Sequence, residues 1–168
     1  MSVTFSLLPA HDTLGFRQAM LWPDRPISHV MVPGDNTALH IGAFDKGTLI
    51  GVGSFFPAAH KAQLRKLAVT PDYRAAGVGS RLVLQGAMTM KSDGKRELWC
   101  DARQSASGFY EKLGFKISQD VFYKSGVAYV KAHLDLRLLT APSAASPDKQ
   151  TGQSWSAQDG TDLLSTPE

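Results

Sequence analysis

One short segment of the sequence has residue types and spacing that favour binding of a phosphate group. Arg74-Ala-Ala-Gly77-Val-Gly79-Ser80 follows an apolar run and leads into a helical pattern. Glycine has no side chain, so the backbone can approach a ligand closely. The first N–H groups of a helix lack intrahelical partners, and with the helix dipole they attract an anion. The segment therefore predicts an anion site, although a plain loop with close helix packing would show the same pattern.

Two other phosphate-binding loops do not fit this segment. A nucleotide-binding P-loop requires lysine and then serine or threonine directly after the last glycine, whereas Ser80-Arg81 follows Gly79 here. A dinucleotide-binding loop requires three glycines spaced as G-x-G-x-x-G, and the first of them is missing. The segment thus belongs to neither class of nucleotide-binding loop.

The second candidate for chemistry is Tyr110, on a short predicted helix. Ala106, Phe109, Tyr110 and Leu113 follow the helical spacing, and Gly114 fits the C-terminal cap. A phenol has a pKa of ~10, so it is still protonated at neutral pH and can act as a general acid. The alternative is a core aromatic, because Tyr110 lies on the apolar stripe of its own helix.

Metal and thiol chemistry have little support. The five histidines have no metal-ligand spacing and no cysteine partners. The single cysteine, Cys100, lies in an apolar run and is expected to be a buried core thiol. Ser105 and Ser107 have no visible His–Asp partners that would make them nucleophiles. We therefore expect no metal site.

Short strands and helices alternate over residues 1–139 and must position these groups. The predicted strands are 2–8, 38–45, 48–56, 62–69, 97–101, 115–123 and 127–136, and the predicted helices are 11–21, 79–90 and 106–113. The pattern predicts a mixed α/β sheet with antiparallel hairpins at both ends and a strand–helix–strand crossover in the middle. The anion-binding segment lies between a strand and the crossover helix.

Length and composition are typical of one globular domain followed by a tail. The chain has 168 residues, of which 43% are hydrophobic and 20% charged. Residues 140–168 are rich in Ser, Thr and Pro, so we expect a domain over 1–139 and a disordered C-terminal tail over 140–168. The lone cysteine and the absence of a signal-peptide core or bilayer-spanning stretch predict a cytoplasmic protein with no membrane partner.

The net charge of +3 combines two parts of opposite sign. Residues 140–168 hold one lysine and four acids, which leaves a net charge of +6 on residues 1–139. A basic domain raises the hypothesis of nucleic-acid binding. Its basic residues are scattered, and no helix shows a basic stripe with interleaved aromatics, so no nucleic-acid partner is expected.

Two motifs together resemble the Gcn5-related N-acetyltransferase (GNAT) superfamily. The acetyl-CoA signature of that family is [Arg/Gln]-x-x-Gly-x-[Gly/Ala], which residues 74–79 satisfy. Residues 106–115 are similar to the family's tyrosine-containing helix, which runs into a Gly-Phe strand start. The resemblance implies the GNAT acyl-CoA N-acyltransferase fold, an α/β fold. Its mixed, mostly antiparallel sheet has a central splayed pair of parallel strands flanked by helices.

The resemblance implies an enzyme that transfers acetyl from acetyl-CoA to a primary amine by direct attack on the thioester, without a metal. The backbone of Leu67, Ala68 and Val69 would hold the pantetheine arm, and one N–H of this segment would polarise the thioester carbonyl. Tyr110 would protonate the departing thiolate. The excess positive charge would attract the phosphates of CoA. The pyrophosphate would be wrapped by Arg74, Ala75, Ala76, Gly77, Val78, Gly79 and Ser80.

The general base is left open. Many relatives have a carboxylate on the strand before the loop, whereas Gln63-Leu-Arg-Lys-Leu-Ala-Val69 has none. The candidates are a water relayed by backbone groups, Asp101 and His60, while Arg103 could reach the CoA phosphates or be exposed. The missing carboxylate keeps open a catalytically idle acyl-CoA-binding module, against which Tyr110 argues.

The resemblance implies that the acceptor side is built by the first helix, the loop after it and the last hairpin, here roughly residues 16–33 and 122–129. Aromatic and apolar side chains there could line a pocket or pack in the core; they are Phe16, Trp22, Met31, Phe122, Tyr123 and Tyr129. The short first-helix region leaves little material for an extended peptide groove. We therefore expect a small-molecule amine as acceptor, with protein lysine or N-terminal acetylation as the alternative. The oligomeric state is open between a monomer and a homodimer.

Overall fold

A mixed sheet of seven strands organises residues 2–140, the part of the chain that this computed structural model describes. The strands are β1 (Val3–Leu7), β2 (Leu39–Asp45), β3 (Thr48–Ala58), β4 (Lys61–Val69), β5 (Glu97–Arg103), β6 (Lys116–Lys124) and β7 (Val127–Asp135). The α-helices are α1 (His11–Leu21), α2 (Val78–Ser92) and α3 (Ser107–Lys112), and short 3-10 helices cover Ile27–Val30, Asp35–Thr37, Pro71–Ala76, Gln104–Ala106 and Leu136–Leu138. Of the tail predicted over residues 140–168, the structure describes only residue 140, and residues 141–168 lie outside the described part of the chain.

The order of strands across the sheet is β1-β2-β3-β4-β5-β7-β6. The crossover helix α2 connects β4 to β5, and these two strands pair in parallel. Every other neighbouring pair in this sheet is antiparallel. The predicted mixed sheet with terminal hairpins and a central crossover is confirmed. β5 continues beyond Asp101, where the sequence predicted its end, because Arg103 still pairs with Tyr129 of β7. Among the described residues, no helix is long and apolar enough to cross a bilayer.

The parallel pair is joined only at its start. Residues 61–63 of β4 pair with residues 97–99 of β5, and beyond that point the two strands part. A β-bulge accompanies the parting: the pairing with β3 shifts between Val52 and Ser54, and Lys66 has a φ of +56°. A bulge bends its strand and increases the local twist. The opening between β4 and β5 beyond this paired start is called the gap below, and it confirms the predicted splay.

The main core lies between the sheet and the face that carries α2 and α3. The apolar stripe of α2 faces the sheet, with Leu82, Val83 and Ala87 fully buried. Gly86 on the same stripe lies directly over Phe55 of β3, and a Cβ at position 86 would be 1.9 Å from the ring atom Cζ. The close approach of α2 to β3 therefore requires a glycine at position 86.

Helix α1 covers the opposite face of the sheet through a buried polar network. Successive strand residues point to opposite faces, so Ser54 points away from α2 where Phe55 points towards it. The guanidinium of Arg17, fully buried on α1, donates to Ser54 Oγ at 2.9 Å and to both carboxylate oxygens of Asp35 at 2.9 Å. It also donates to the carbonyl oxygen of Val30 at 3.1 Å. These bonds fix α1 and the segment after it on the sheet.

His40 of β2 completes this network. Its Nδ1 lies 2.8 Å from Ser54 Oγ, and its Nε2 lies 2.8 Å from the carbonyl oxygen of Asp35. A neutral ring with its hydrogen on Nε2 satisfies both contacts, since Nε2 then donates to the carbonyl and Nδ1 accepts from the hydroxyl. Burial lowers the pKa of His40 and outweighs the opposing effect of its bond to Asp35. The folded protein therefore favours the neutral imidazole.

Gly86→Ala is expected to lower the free energy of unfolding, because the buried Phe55 ring occupies the space of the new Cβ. Overpacking a core in this way costs about 1–3 kcal/mol. Gly15→Ala is the matched control: it lies exposed on α1 with nothing within 4 Å of its Cβ. Alanine there should stabilise by roughly 0.5–1 kcal/mol. Urea unfolding measures both, and an unchanged stability of Gly86→Ala would contradict the close packing.

His40 should make the protein less stable in mild acid. Because the folded-state pKa of His40 lies below 6.5, the unfolded chain takes up the proton first. The contribution of the neutral His40 ring to the free energy of unfolding is therefore full above pH 6.5, and it is lost as the pH falls below this value. We expect His40→Gln to flatten the dependence of unfolding free energy on pH between about 7.5 and 5, in the range where histidine titrates. Urea titrations across this range test it, and identical slopes for the two proteins would contradict it.

Candidate active site

The predicted anion-binding segment lies where β4 turns into α2. Pro71–Ala76 forms a 3-10 helix, and Gly77, with a φ of +78°, leads from it into α2. Residues with a Cβ rarely adopt a positive φ because of steric clashes with the backbone, so the turn itself requires glycine. The first turn of α2 holds Val78, Gly79 and Ser80, and no side chain caps it. Its N–H groups are therefore available to an anion.

Polar groups around this turn also favour a ligand. Arg74 Nε donates to the carbonyl oxygen of Val69 at 3.0 Å, which ties the loop to the end of β4. Burial lowers the pKa of Arg74, but a guanidinium titrates too high for this to remove its charge at neutral pH. The hydroxyls of Thr70 and Ser80 are buried and make no hydrogen bond to another described residue. Because buried polar groups are normally satisfied, these hydroxyls fit a site that a polar ligand completes.

The wall of the gap on the β4 side is a buried backbone edge. Leu67, Ala68 and Val69 are all buried, and within residues 2–140 no strand pairs with β4 along this stretch on the β5 side. The backbone groups of such an edge can hydrogen-bond an extended ligand that lies in the gap. The structure thus brings the predicted segment 67–69 and the predicted loop 74–80 to one continuous surface.

Tyr110 reaches the gap from the β5 side. Its ring is 7% exposed and packs edge-on against Phe109 and Phe115. Its hydroxyl hydrogen-bonds Cys100, the first β5 residue beyond the paired start. Burial raises the pKa of Tyr110 well above its usual value, and contact with Cys100 adds to the shift. Tyr110 is therefore a protonated phenol at the wall of the gap.

Cys100 is a buried thiol, in agreement with the expectation from sequence. Burial raises its pKa to about 12, although the hydrogen bond from Tyr110 acts to lower it. Thiolate is the reactive form of cysteine, so Cys100 is unreactive at neutral pH. Among the described residues, no group of three His, Cys, Asp or Glu side chains comes together in a way that could hold a metal ion.

The two side-chain candidates for a general base are placed very differently. Asp101 lies beside the gap, where its carboxylate accepts from Lys124 Nζ at 3.0 Å and Lys131 Nζ at 2.7 Å. Burial acts to raise the pKa of Asp101, but these two lysines outweigh it and the pKa is lowered, so Asp101 is a weak base. His60 precedes β4, at the end where β4 and β5 are still paired. The structure therefore does not bring His60 to the gap.

The predicted acceptor-side residues do not form one cluster. Tyr129 is fully buried and stacks on Phe122 with their ring centroids 5.9 Å apart. Trp22 packs edge-on against the ring of His29, away from this pair in sequence and in the sheet. Met31 and Tyr123 are exposed, with 56% and 70% of their surfaces accessible. The stacked pair lies on the last hairpin, where Tyr129 pairs with Arg103 of β5.

Sequence reasoning missed Lys124 and Lys131 of the last hairpin, which lie beside that pair and bond the Asp101 carboxylate. Burial alternates strictly along β5, so Trp99, Asp101 and Arg103 share the half-buried face opposite Cys100. Asp101 pairs with Lys131 across β5 and β7. No local pattern in the sequence indicates these contacts, because the two lysines lie 23 and 30 residues from Asp101.

Comparisons with known proteins agree with this geometry. A family model described as "Acetyltransferase (GNAT) domain" matches residues 13–136. The uncharacterized N-acetyltransferase YitI of Bacillus subtilis is 30% identical over 129 residues, which cover 71% of this chain and 87% of that protein. A spermidine N(1)-acetyltransferase of Thermoplasma acidophilum is 38% identical over 82 residues, which cover 47% of this chain and 51% of that protein.

Solved structures share the same fold. Escherichia coli ElaA has a TM-score of 0.69 at 15% identity, covering 80% of this chain and all of that chain. An aminoglycoside 6'-N-acetyltransferase solved with coenzyme A has a TM-score of 0.63 at 19% identity, covering 83% of this chain and 99% of that one. These structures show the shared fold, and the match of the family model over residues 13–136, with the 30% identity to YitI, shows that the chain belongs to the GNAT acetyltransferase family.

Proposed function

We propose that this protein transfers an acetyl group from acetyl-CoA to the primary amine of a small molecule. The observation that carries the proposal is the gap between β4 and β5, which has an open helix start at one end and a protonated phenol at its wall. Family membership supports acetyl transfer as the chemistry, and the relatives that act on spermidine and aminoglycosides support a small amine as acceptor.

The residues present fit acetyl-CoA as the donor substrate. The first turn of α2 and the buried hydroxyl of Ser80 would hold the pyrophosphate, with Arg74 adding its charge. The backbone edge at 67–69 would hydrogen-bond the pantetheine arm, as a further strand does at a sheet edge. These two parts are adjacent along the chain and in space, so one extended molecule can occupy both.

The chemistry then needs few side chains. Acetyl-CoA supplies an activated thioester, and the gap holds it beside the acceptor amine, so that proximity contributes much of the rate. A neutral amine attacks the carbonyl carbon, and an N–H of the 67–69 edge stabilises the oxyanion. When the intermediate collapses, the C–S bond breaks and Tyr110 gives its proton to the thiolate. The proton lost by the amine nitrogen returns to the phenol through solvent, which restores Tyr110.

Tyr110→Phe is expected to lower kcat by about 100-fold, because general acid catalysis contributes at least that much. The affinity for acetyl-CoA is expected to stay within about twofold of the wild-type value, a change of well under 1.4 kcal/mol in binding free energy. The reason is that only the proton donor is removed, whereas the aromatic packing against Phe109 and Phe115 is kept. Release of the CoA thiol with an amine acceptor measures kcat, and calorimetry measures affinity.

A thermal midpoint close to that of the wild type would show that the Tyr110→Phe variant remains folded. Unchanged turnover in that folded variant would assign Tyr110 to the core and remove it from the mechanism. If the wild-type protein binds acetyl-CoA but acetylates no amine, the idle binding module becomes the better description.

Gly77→Glu is expected to weaken acetyl-CoA binding by at least about 100-fold, equivalent to losing one or two charge-assisted hydrogen bonds. The substitution places a carboxylate at the anion site and strains a residue with a φ of +78°. Gly94→Glu is the matched control, because Gly94 has a φ of +86° and lies after the other end of α2. Calorimetric titration of both variants tests the loop, and equal affinities would contradict the proposed anion site.

A further inference from the structure

The short 3-10 helix that leads into the anion-binding turn lies at the surface. None of its residues, 71–76, is buried. Two local bonds attach it to the neighbouring strands: the N–H of Thr70 donates to the carbonyl oxygen of Ile50 at 2.8 Å, and Arg74 Nε donates to that of Val69 at 3.0 Å. These bonds tie the helix to β3 and to the end of β4.

A third bond joins this helix to a strand that is distant in the sequence. The hydroxyl of Tyr73 donates to Oδ2 of Asp45, the last residue of β2. Asp45 is itself held on both sides, because it pairs with Val3 of β1 and with Thr48 of β3. A hydrogen bond to a carboxylate is roughly twice as strong as one between neutral groups. The Tyr73–Asp45 bond therefore fastens the helix to a fixed point of the sheet.

The carboxylate has no ready substitute for this phenol. The other oxygen of Asp45, Oδ1, is buried and makes no hydrogen bond to another described residue. The hydrogen bond to Asp45 raises the pKa of Tyr73, so the phenol keeps its proton over a wider range of pH. Removal of the phenol would leave a half-buried carboxylate without its donor, which is a costly state.

A second contact fixes the other side of the turn to the same part of the sheet. The guanidinium of Arg81, in the first turns of α2, lies 4.4 Å from the ring centre of Phe5 on β1. Phe5 pairs with Ala43 of β2, two residues before Asp45. Gly77 thus lies between two contacts with β1 and β2. Because glycine is the most mobile residue of a backbone, fixing both of its flanks restricts the turn to one conformation.

A site made of backbone N–H groups depends on such restriction. These groups bind an anion only when they already point towards it, and a turn that samples other conformations loses affinity in proportion. The apparent dissociation constant rises by the inverse of the fraction of molecules that are competent to bind. Contacts that touch no ligand can therefore determine how tightly the ligand binds.

We propose that Tyr73 and Asp45 are positioning residues for acetyl-CoA, and that their hydrogen bond holds the Gly77 turn in the conformation that binds the pyrophosphate. This inference rests on the proposed function and assigns two further residues to donor binding at the same site. Neither side chain takes part in the transfer step. The bond sets the affinity for the phosphate end of acetyl-CoA and does not affect the acceptor side.

Tyr73→Phe removes the bond and keeps the ring that packs against the core. We expect the affinity for CoA to fall about 5- to 10-fold, which corresponds to a binding-competent fraction of about 10–20%. ADP carries a pyrophosphate without the pantetheine arm, so its affinity should fall by the same factor. At saturating acetyl-CoA, kcat should change by less than about twofold, because the transfer step is untouched. Calorimetry measures CoA binding, and competition with CoA measures ADP binding.

A double-mutant cycle tests whether the two side chains act through one bond. Asp45→Ala should weaken CoA binding as much as Tyr73→Phe does, and the double variant should be no weaker than either single variant. Asp45→Asn is the conservative change, because its amide oxygen still accepts from the phenol. Its affinity for CoA should stay within about twofold of wild type, well below a 1.4 kcal/mol change. Additive losses in the double variant, or equal losses in Asp45→Asn and Asp45→Ala, would overturn the inference.

Asp135→Ala is the matched control. Asp135 is the last residue of β7, as Asp45 is of β2, and its carboxylate bonds Arg137. It pairs with Glu97, at the end of the sheet where β4 and β5 are still joined. The variant removes the same charge far from the turn and should bind CoA as the wild type does. An equal loss of affinity in Asp135→Ala would show a general effect of removing a carboxylate and overturn the assignment to Tyr73 and Asp45.

Hydrogen exchange examines the turn without any ligand. The amide of Arg81 donates to the carbonyl oxygen of Gly77 at 3.1 Å, and that of Tyr73 donates to Thr70 at 3.0 Å. In free Tyr73→Phe protein both amides should exchange faster than in the wild type, while amides in the core strands keep their rates, which also shows that the variant is folded. Unchanged exchange at both amides would contradict the proposed restriction.

The binding experiments separate the failure of this inference from the failure of the proposed function. Equal affinities of wild type and Tyr73→Phe for CoA overturn the inference and leave acetyl transfer standing. Absence of CoA binding by the wild type itself overturns the proposed function, and this inference with it.

Discussion

The structure depends on two parallel strands that stop pairing after their first residues. Backbone N–H and C=O groups in a protein interior need partners, so a sheet that opens at its centre is stable only if something keeps it open. Here β7 pairs with the whole length of β5 and holds it in place, while the bulge at Lys66 bends β4. The parted strands leave a buried backbone edge, and that edge is the natural site for an extended ligand.

The surrounding elements can be understood as supports for this opening. α2 packs closely on β3 through Gly86, which sets the position of its first turn at the end of β4. On the other face the network of Arg17, Asp35 and His40 fastens α1 and the loop after it. Both supports restrict motion for different reasons: α2 is held by steric contact, and α1 is held because both terminal nitrogens of the buried Arg17 guanidinium are hydrogen-bonded.

Local patterns in the sequence were enough to predict the elements and the loop. Periodicity located the strands and helices, and the glycines at 77 and 79 indicated a loop before α2 where the backbone can approach a ligand closely. The bulge could not be predicted, because Lys66 adopts a positive φ without being glycine. The partners of Asp101 lie 23 and 30 residues away in the sequence, and only the order β5-β7-β6 brings them together. Non-local pairing thus determined the part of the site that sequence reasoning missed.

Buried and half-buried side chains alternate along β5, and this pattern limits which sequence changes the strand can accept. Neighbouring residues of this strand serve opposite sides of the sheet: Cys100 contacts Tyr110, whereas Asp101 contacts the lysines of the last hairpin. Substitutions at every second position can therefore alter one side while leaving the other intact. Insertion of a single residue before Cys100 would do the opposite, because it would exchange the two faces of the strand and disrupt both sides at once. Selection on this strand should accordingly tolerate replacement at Asp101 or Arg103 far better than any change in length.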